Sequence, residues 1–503
     1  MASNPEPGDY HGLKWARGLW GSETRWTVDP DEAAIKRTFQ STLQLSDSCE
    51  ISFLGQGAFK KLYVVKDSDK EVVARVTLPV DPAYKTLSEV ATISWVRRNT
   101  SLPVPEILAY DATRRNTVGF GWIAMTRIPG KPLADVWRAI DFAAKKQLVH
   151  QLARFSSDTF CNQLHAVGSI FPVHEVTVIR SSSPVSESGK TILRCQQSTG
   201  FLSATTKKVQ NSPQPRRITS TDFIWDGRIH RDIPRGPFES SRDWLSARLT
   251  IAEMLCQERL AKARQSTNDK AHKSHVAFET EGATEGDIEL ARETANEHNG
   301  KEQPDEKDEE EEEEVEDDDD EYDVEELEST MDIISRLRNR LDEFFPTLGP
   351  GPEPSMIIHD DMSRHNILVH DGALSGVVDW ECIAALPLWA ACQYPSFLHG
   401  QDRHDEPTKS KYQHDNAAKL YWEHLDDFEL TQLRQVFLEE MRKLQPRWVD
   451  IFESSQRQRD FDLAVSSCDD GFMIRRIQRW LDDMDSGLAS FQGLEERIDN
   501  ATL

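Results

Sequence analysis

Ser355-Met-Ile-Ile-His-Asp-Asp-Met-Ser-Arg-His-Asn-Ile-Leu-Val369 sets two apolar runs around a polar, chemistry-bearing centre. Met356 to Ile358 leads into His359-Asp360-Asp361, and Asn366 stands five residues after Asp361. Ile367 to Val369 predicts a second short strand, His370-Asp371-Gly372 a turn, and Gly376 to Val378 a third strand ending at Asp379. Hairpin spacing of this kind brings Asp361, Asn366 and Asp379 towards one edge. That set suits phosphoryl transfer. One carboxylate orients an attacking hydroxyl and accepts its proton, while hard oxygen ligands hold the magnesium that bridges the phosphates. Positioning and charge neutralisation then supply most of the rate. A β-hairpin with incidental acids is the alternative reading.

Upstream, from Cys49 to Met125, the chain is β-rich. Ile51, Phe53, Leu62, Val64 and Val65, then Val72, Val73 and Val76, form short runs, two of them flanking the polar connection Lys66 to Lys70. A helix is predicted from Lys85 to about Asn99, with Leu87, Val90, Ala91 and Trp95 on one face. Pro103 and Pro105 end it, and Ile107 to Ala109 and Gly121 to Met125 read as further strands. Five strands and one helix make a small antiparallel lobe over 46–127. Beyond Pro129-Gly130 the pattern turns helical: Leu133 to Ala139, Ala143 to Gln163, Ser241 to Arg264, Glu325 to Phe345, and the stretch from Tyr394 onward. The expected fold is therefore α+β and bilobal, with an N-terminal extension over 1–45 and a larger, mostly helical lobe over 128–503. The extension carries Trp15, Trp20 and Trp26, which are expected to pack on the body. The large lobe contains an irregular insertion at 174–220 and a disordered, finally polyacidic insertion at 265–323.

The formal charge of −27 is concentrated in one place, since 19 acidic residues and one lysine fall between Asp305 and Glu328. What is left, about −9, is ordinary for a soluble domain and speaks against nucleic-acid binding. The acidic run reads as a solvated spacer, or as a docking tail for a basic partner acting by electrostatic steering. Seven cysteines without CxxC pairs fit reduced thiols rather than disulfides or a zinc site. Met1 to Trp20 holds no apolar run of signal-peptide length, and no stretch is long and apolar enough to span a membrane. A cytoplasmic protein is expected, with a nuclear location left open.

His-x-Asp-x-x-x-x-Asn-Ile-Leu, followed by a strand and Asp379-Trp380-Glu381, resembles the catalytic and metal loops of the aminoglycoside phosphotransferase-like family, which shares the protein kinase fold. Its fungal branch is similar also at Lys85 to Val96, Gly168-Ser-Ile-Phe171, Arg235-Gly-Pro-Phe238 and Leu386-Pro-Leu-Trp389. The resemblance spans roughly 46–172, 221–260 and 350–490. It implies Asp361 as catalytic base and Asn366 and Asp379 as magnesium ligands, with ATP as the phosphate donor. It implies further that Gly55 and Gly57, in Gly55-Gln-Gly-Ala-Phe-Lys60, close over the phosphates. Arg75 occupies the place of the third-strand lysine of kinases, and Glu89 that of its salt-bridge partner. Backbone groups near Thr126 and Ile128, at the inter-lobe hinge, would meet the adenine edge.

Two departures bear on activity. Arginine at position 75 is bulkier and planar and not interchangeable with lysine, and Lys60 stands where protein kinases have a third glycine. His359 reads as a brace for the loop and Glu381 as an aid to the metal site or a turn cap. Three function classes follow. The first is an ATP- and magnesium-dependent phosphotransferase acting on a hydroxyl of a small molecule. The second is a catalytically weak or silent nucleotide-binding or scaffold relative. The third is a protein kinase, against which Ala384-Ala-Leu-Pro-Leu-Trp389 stands where a peptide-docking segment would lie.

Overall fold

The computed structural model describes residues 10–18, 21–68, 70–172, 213–281, 323–347, 349–412, 417–487 and 492–501. Trp20, most of the expected irregular insertion and most of the acidic run lie outside the described residues. The chain divides into two compact units: Met1–Ile251, Arg340–Leu463 and Gln492–Leu503 form one, Ala252–Asn339 and Ala464–Phe491 the other.

Within the first unit the chain opens with a hairpin, β1 (Leu13–Gly18) and β2 (Gly21–Trp26), where the sequence pattern had suggested no strand. Trp26 packs against Phe120 at 5.2 Å and Trp15 against Trp225 at 5.5 Å between ring centroids. Helix α1 (Glu32–Leu43) is capped by Asp31, whose carboxylate accepts from the Ala33 N–H at 2.9 Å.

Five strands follow: β3 (Glu50–Gly57), β4 (Lys60–Asp67), β5 (Lys70–Thr77), β6 (Ile107–Asp111) and β7 (Gly121–Thr126). They form one antiparallel sheet in the order β3-β4-β5-β7-β6. Side-chain alternation gives each face its own cluster. Tyr63, Val65, Val72, Ala74 and Trp122 join Ile35 and Phe39 of α1, while Val73, Ile123 and Met125 face Val90 of α2 (Tyr84–Asn99). Helix α2 does not have the single apolar face expected of it. Lys85, Thr86, Ser88, Glu89 and Thr92 are as buried as Val90, Ala91 and Trp95, and of these Glu89 pairs with Arg75 and Lys85 with Glu381, from segments distant in the chain.

After β7 come β8 (Lys131–Pro132), α3 (Leu133–Val136), α4 (Phe142–Cys161), β9 (Leu164–His165), α5 (Thr221–Ile224) and α6 (Ser241–Glu281). The predicted end of α6 near Arg264 is corrected. Residues 265–281 contain neither proline nor glycine, so nothing interrupts the backbone ladder until Glu281. Then follow α7 (Val324–Phe344), β10 (Pro354–Ile357), β11 (Ile367–His370), β12 (Ala373–Val377), β13 (Ala385–Pro387) and α8 (Leu388–Ala391). Helices α9 (Ala417–Leu444), α10 (Pro446–Ser454), α11 (Gln456–Ser466), α12 (Gly471–Asp485) and α13 (Leu494–Ala501) complete the chain. Leu148, Leu152 and Phe155 of α4 share a core with Leu433, Phe437 and Met441 of α9, Trp448 of α10, and Ile357, Ile367 and Val377 of the short strands.

The second unit is helical. Cys256 of α6 donates its thiol to the Leu327 carbonyl of α7 at 3.3 Å, inside a small cluster with Leu260, Ala263 and Met331. Arg336 bridges Asp482 and Asp485 of α12 at 2.8 and 2.6 Å. Among the described residues no helix is long and apolar enough to cross a membrane.

Candidate active site

Strand β10 delivers His359 into the core at 3% exposure, where its Nε2–H donates to the Val378 carbonyl at 3.0 Å and its ring meets Trp380 edge-on at 4.6 Å. Burial holds the imidazole below its ordinary pKa, so His359 is a neutral brace, as expected of it. Two residues on, Asp361 faces solvent and is gripped by Asn366, whose Nδ2 donates to the Asp361 carboxylate (Oδ2) at 2.8 Å and to its main-chain carbonyl at 2.9 Å. The Val378 N–H donates to the Asn366 carbonyl at 2.9 Å. Asp379 therefore starts from a backbone already tied to both Asn366 and His359. Its φ of +68° lies in the left-handed region, which aspartate tolerates better than most residues. The three predicted residues thus come together, with one correction to the route. Strand β10 pairs with β13 and β9, not with the β11–β12 hairpin, so Asp361 sits in the connection between two small sheets. Segment 384–389, set aside as unlike a peptide-docking region, forms β13 and the start of α8 against β10.

Asp360 accepts the Asp361 N–H at 3.0 Å. Its carboxylate reaches solvent, yet protein surrounds it on most sides, and this loss of hydration raises its pKa to about 6.

Across from this loop, Arg75 is 3% exposed, not a surface residue. Its Nε donates to Glu89 at 2.8 and 3.0 Å, and its Nη2 reaches Asp379 at 3.2 Å and Glu381 at 2.7 Å. The planar fork spans carboxylates on either side of the guanidinium, a task that a single ammonium cannot perform. Lys60 pairs with Asp379 and, at 3.1 Å, with Glu381, and the buried Lys85 pairs with Glu381 as well. Three cations and three carboxylates thus close a network across from the catalytic loop. Burial pushes the Glu381 carboxyl up, but Arg75, Lys85 and Lys60 outweigh it and hold the pKa well below the ordinary value. Burial also raises Glu89, against the pull of Arg75 and Lys85. Glu381, read as a metal aid or a turn cap, is instead the centre of this network. Nothing in the sequence pattern of Lys60 marks it as part of this network. A signal for Lys85 exists in the sequence, since it precedes Glu89 by one helical turn.

Gly55 and Gly57 end β3 in a tight hairpin in which Gly57 pairs with Lys60. A Cβ on Gly57 would stand 2.8 Å from the Lys60 Cε, so the missing side chain leaves room for the lysine stem. At the hinge, the Thr126 N–H is already committed to the Glu106 carbonyl at 2.9 Å, so it is not free for a ligand. Ile128 follows in the connection to β8, with its side chain over Gly376.

Beside the catalytic loop lies a cavity of about 950 Å³, lined among others by Trp137, Ser363, Arg364, His365, Trp422 and Asp426. Arg364 forks onto Asp426 of α9 at 2.8 and 2.9 Å and lies 3.9 Å from the Trp137 ring centre. Lys145 of α4 lies over the same ring at 4.3 Å and pairs with Glu429 at 2.6 Å. No sequence spacing pointed to this pocket, because its walls come from four separated segments.

The model of the phosphotransferase enzyme family (APH) matches residues 50–172 and 257–390, just over half of the chain. The chain belongs to this family. Its fold is the bilobal, kinase-like α+β architecture expected, with the five-stranded sheet as the N-terminal lobe. Among curated proteins, a subtelomeric hrmA-associated cluster protein of Aspergillus fumigatus is 36% identical over 129 residues, covering 25% of this chain and 25% of that protein. The altered inheritance of mitochondria protein 9 of Meyerozyma guilliermondii is 28% identical over 128 residues, 24% of this chain and 21% of its own. The chain thus matches about a quarter of the length of these fungal relatives. Among solved structures, a thermostable mutant of aminoglycoside phosphotransferase APH(4)-Ia in ternary complex with ADP and hygromycin B gives a TM-score of 0.38 at 13% identity, over 91% of this chain and 99% of that one. ADP-bound APH(2'')-Ib gives 0.39 at 9% identity, over 90% and 97%.

Proposed function

We propose that this chain is an ATP- and magnesium-dependent phosphotransferase that acts on a hydroxyl group of a small molecule. The observation that carries the reading is the bond from Asn366 to Asp361, with the Asn366 backbone joined to Val378 next to Asp379. Because the amide nitrogen of Asn366 is engaged by Asp361, its oxygen is the atom that would hold a cation, with the Asp379 carboxylate as the second ligand once Lys60 and Arg75 yield it. Two hard oxygen donors of this kind fit magnesium, which usually takes few protein ligands and completes its shell with phosphates and water. When bound, the ion supplies neutralisation of charge on the transferred phosphoryl group.

The remaining chemistry belongs to side chains. Asp361 accepts the proton of the acceptor hydroxyl, and Asn366 keeps that carboxylate in one orientation. Glu89 fixes the Arg75 guanidinium through Nε, so its Nη2 stays directed at Asp379 and Glu381. The cavity beside Ser363 to His365 is of ordinary size for a small-molecule site. It combines two tryptophans with carboxylates of α9, a lining suited to a polyhydroxylated or amino-bearing alcohol.

One observation favours a second reading, a catalytically weak or silent relative: both carboxylate oxygens of Asp379 are already held, by Lys60 and Arg75. One measurement separates the two. Purified protein is screened against hydroxylated metabolites for magnesium-dependent ATP consumption, alongside Asp361→Asn. Activity lowered at least about a hundredfold in the variant is the expected result. Turnover equal in the two proteins refutes the role of Asp361, and absence of turnover on every acceptor favours the silent relative.

A further inference from the structure

The network across from the catalytic loop is charge-balanced only as long as nothing else enters it. Lys60, Arg75 and Lys85 carry three positive charges, and Glu89, Asp379 and Glu381 three negative ones. Five of these six groups are boxed in, at 11% side-chain exposure or less, and Asp379 reaches 21%. They differ in freedom. Arg75 is locked by Glu89, and Lys85 is buried at 1% beneath the Phe59 ring, 5.7 Å from its centre. Lys60 alone of the three is carried by the glycine hairpin, its stem lying across Gly57.

We infer that Lys60 is a mobile phosphate ligand, parked on Asp379 until nucleotide arrives. This rests on the nucleotide reading above and adds to it a residue and a movement. When Asp379 turns to a divalent cation, Lys60 is left facing a like charge and has to leave. Its stem can swing about the β3–β4 turn on the Gly55–Gly57 side, and the group it would meet there, a di- or triphosphate, is anionic. Glu381 loses little by this, because Arg75 and Lys85 still hold it. Lysine in the place of a third glycine then has a use: a point charge on a flexible stem suits a partner that must be exchanged, where an arginine fork would be locked.

Two consequences oppose one another and make the inference testable by binding alone. Lys60 competes with a cation for Asp379, so Lys60→Met binds Mn²⁺ in the absence of nucleotide more tightly than wild type, by about tenfold for one ion pair removed. Lys60, once displaced by the cation, also assists phosphate, so at saturating Mn²⁺ the same variant binds ADP about tenfold more weakly. Both constants come from calorimetry on the full chain, with a thermal melt of each protein. Gly57→Ala, which pushes the lysine stem aside without removing its charge, shifts both constants in the same directions. ADP affinity unchanged in Lys60→Met while wild type binds ADP overturns the inference, and so does weaker Mn²⁺ binding. Wild type that binds ADP neither in EDTA nor with Mn²⁺ overturns the phosphotransferase reading itself.

Discussion

Arg75→Met removes the cation that joins β5, α2 and the segment after β12, and its cost can be worked from the contacts. The guanidinium is buried with four carboxylate contacts between 2.7 and 3.2 Å. Asp379 and Glu381 keep Lys60 or Lys85 after the change. Glu89, at 1% side-chain exposure, has no other ion pair within contact distance among the described residues. The loss is therefore mainly that of one buried carboxylate left without its partner, about 3–5 kcal/mol. Against a total of about 5–15 kcal/mol for a folded domain, that is a large fraction.

A local readout suits a chain made of two compact units. Hydrogen exchange in peptides of β5 and α2 is expected to speed up by about two to three and a half decades, at about 1.4 kcal/mol per decade. The sign of its pH dependence follows. Burial already raises the Glu89 pKa in the presence of Arg75, and the variant raises it further. The folded variant then binds a proton that the unfolded chain releases, so the penalty grows as the pH rises and shrinks as it falls. Arg75→Met with Glu89→Gln recovers most of the loss. Unchanged exchange in the single variant, or no recovery in the double one, refutes the network.

Two further outcomes are expected. Asp360 titrates near 6 in the folded chain against an ordinary 3.8, so the folded state holds its proton through that window and the chain loses stability as pH rises across it. Asp360→Asn should therefore gain on wild type in melting temperature between pH 4 and pH 7, roughly the window of that shift, and a gap independent of pH rejects the assignment. Gly130 has φ +112°, and a Cβ there would lie 2.3 Å from the Val369 carbonyl, beside the β8–β11 pairing. Gly130→Ala should cost about 1–3 kcal/mol in a thermal melt, and a neutral result contradicts this turn geometry.

What could be read from the sequence follows sequence distance. Asp361, Asn366 and Asp379 announce themselves because one short connection and one hairpin hold all three, and strand alternation with a glycine turn leaves few other ways to fold that segment. Arg75 and Glu89 are separated by 14 residues, a strand end and the start of a helix, and their pairing is suggested by the family resemblance rather than by periodicity. Lys60 and Glu381 are 321 residues apart, and no periodicity links them. A lysine at a hairpin end looks like any solvated charge until the fold sets a carboxylate beside it. The same argument covers α2. Its apolar residues alone suggest one buried face, but Lys85, Ser88, Glu89 and Thr92 are interior because their surroundings arrive from elsewhere in the chain. The pocket walls from α3, α4, the catalytic loop and α9 escaped for the same reason. Local chemistry therefore identifies the groups that would act on phosphate, whereas the charges that hold those groups in place, and the walls that would choose an acceptor, exist only once distant segments meet. Substitutions at Asp361 and at Arg75 should accordingly part company: the first removes turnover and leaves exchange in β5 and α2 unchanged, and the second moves both together.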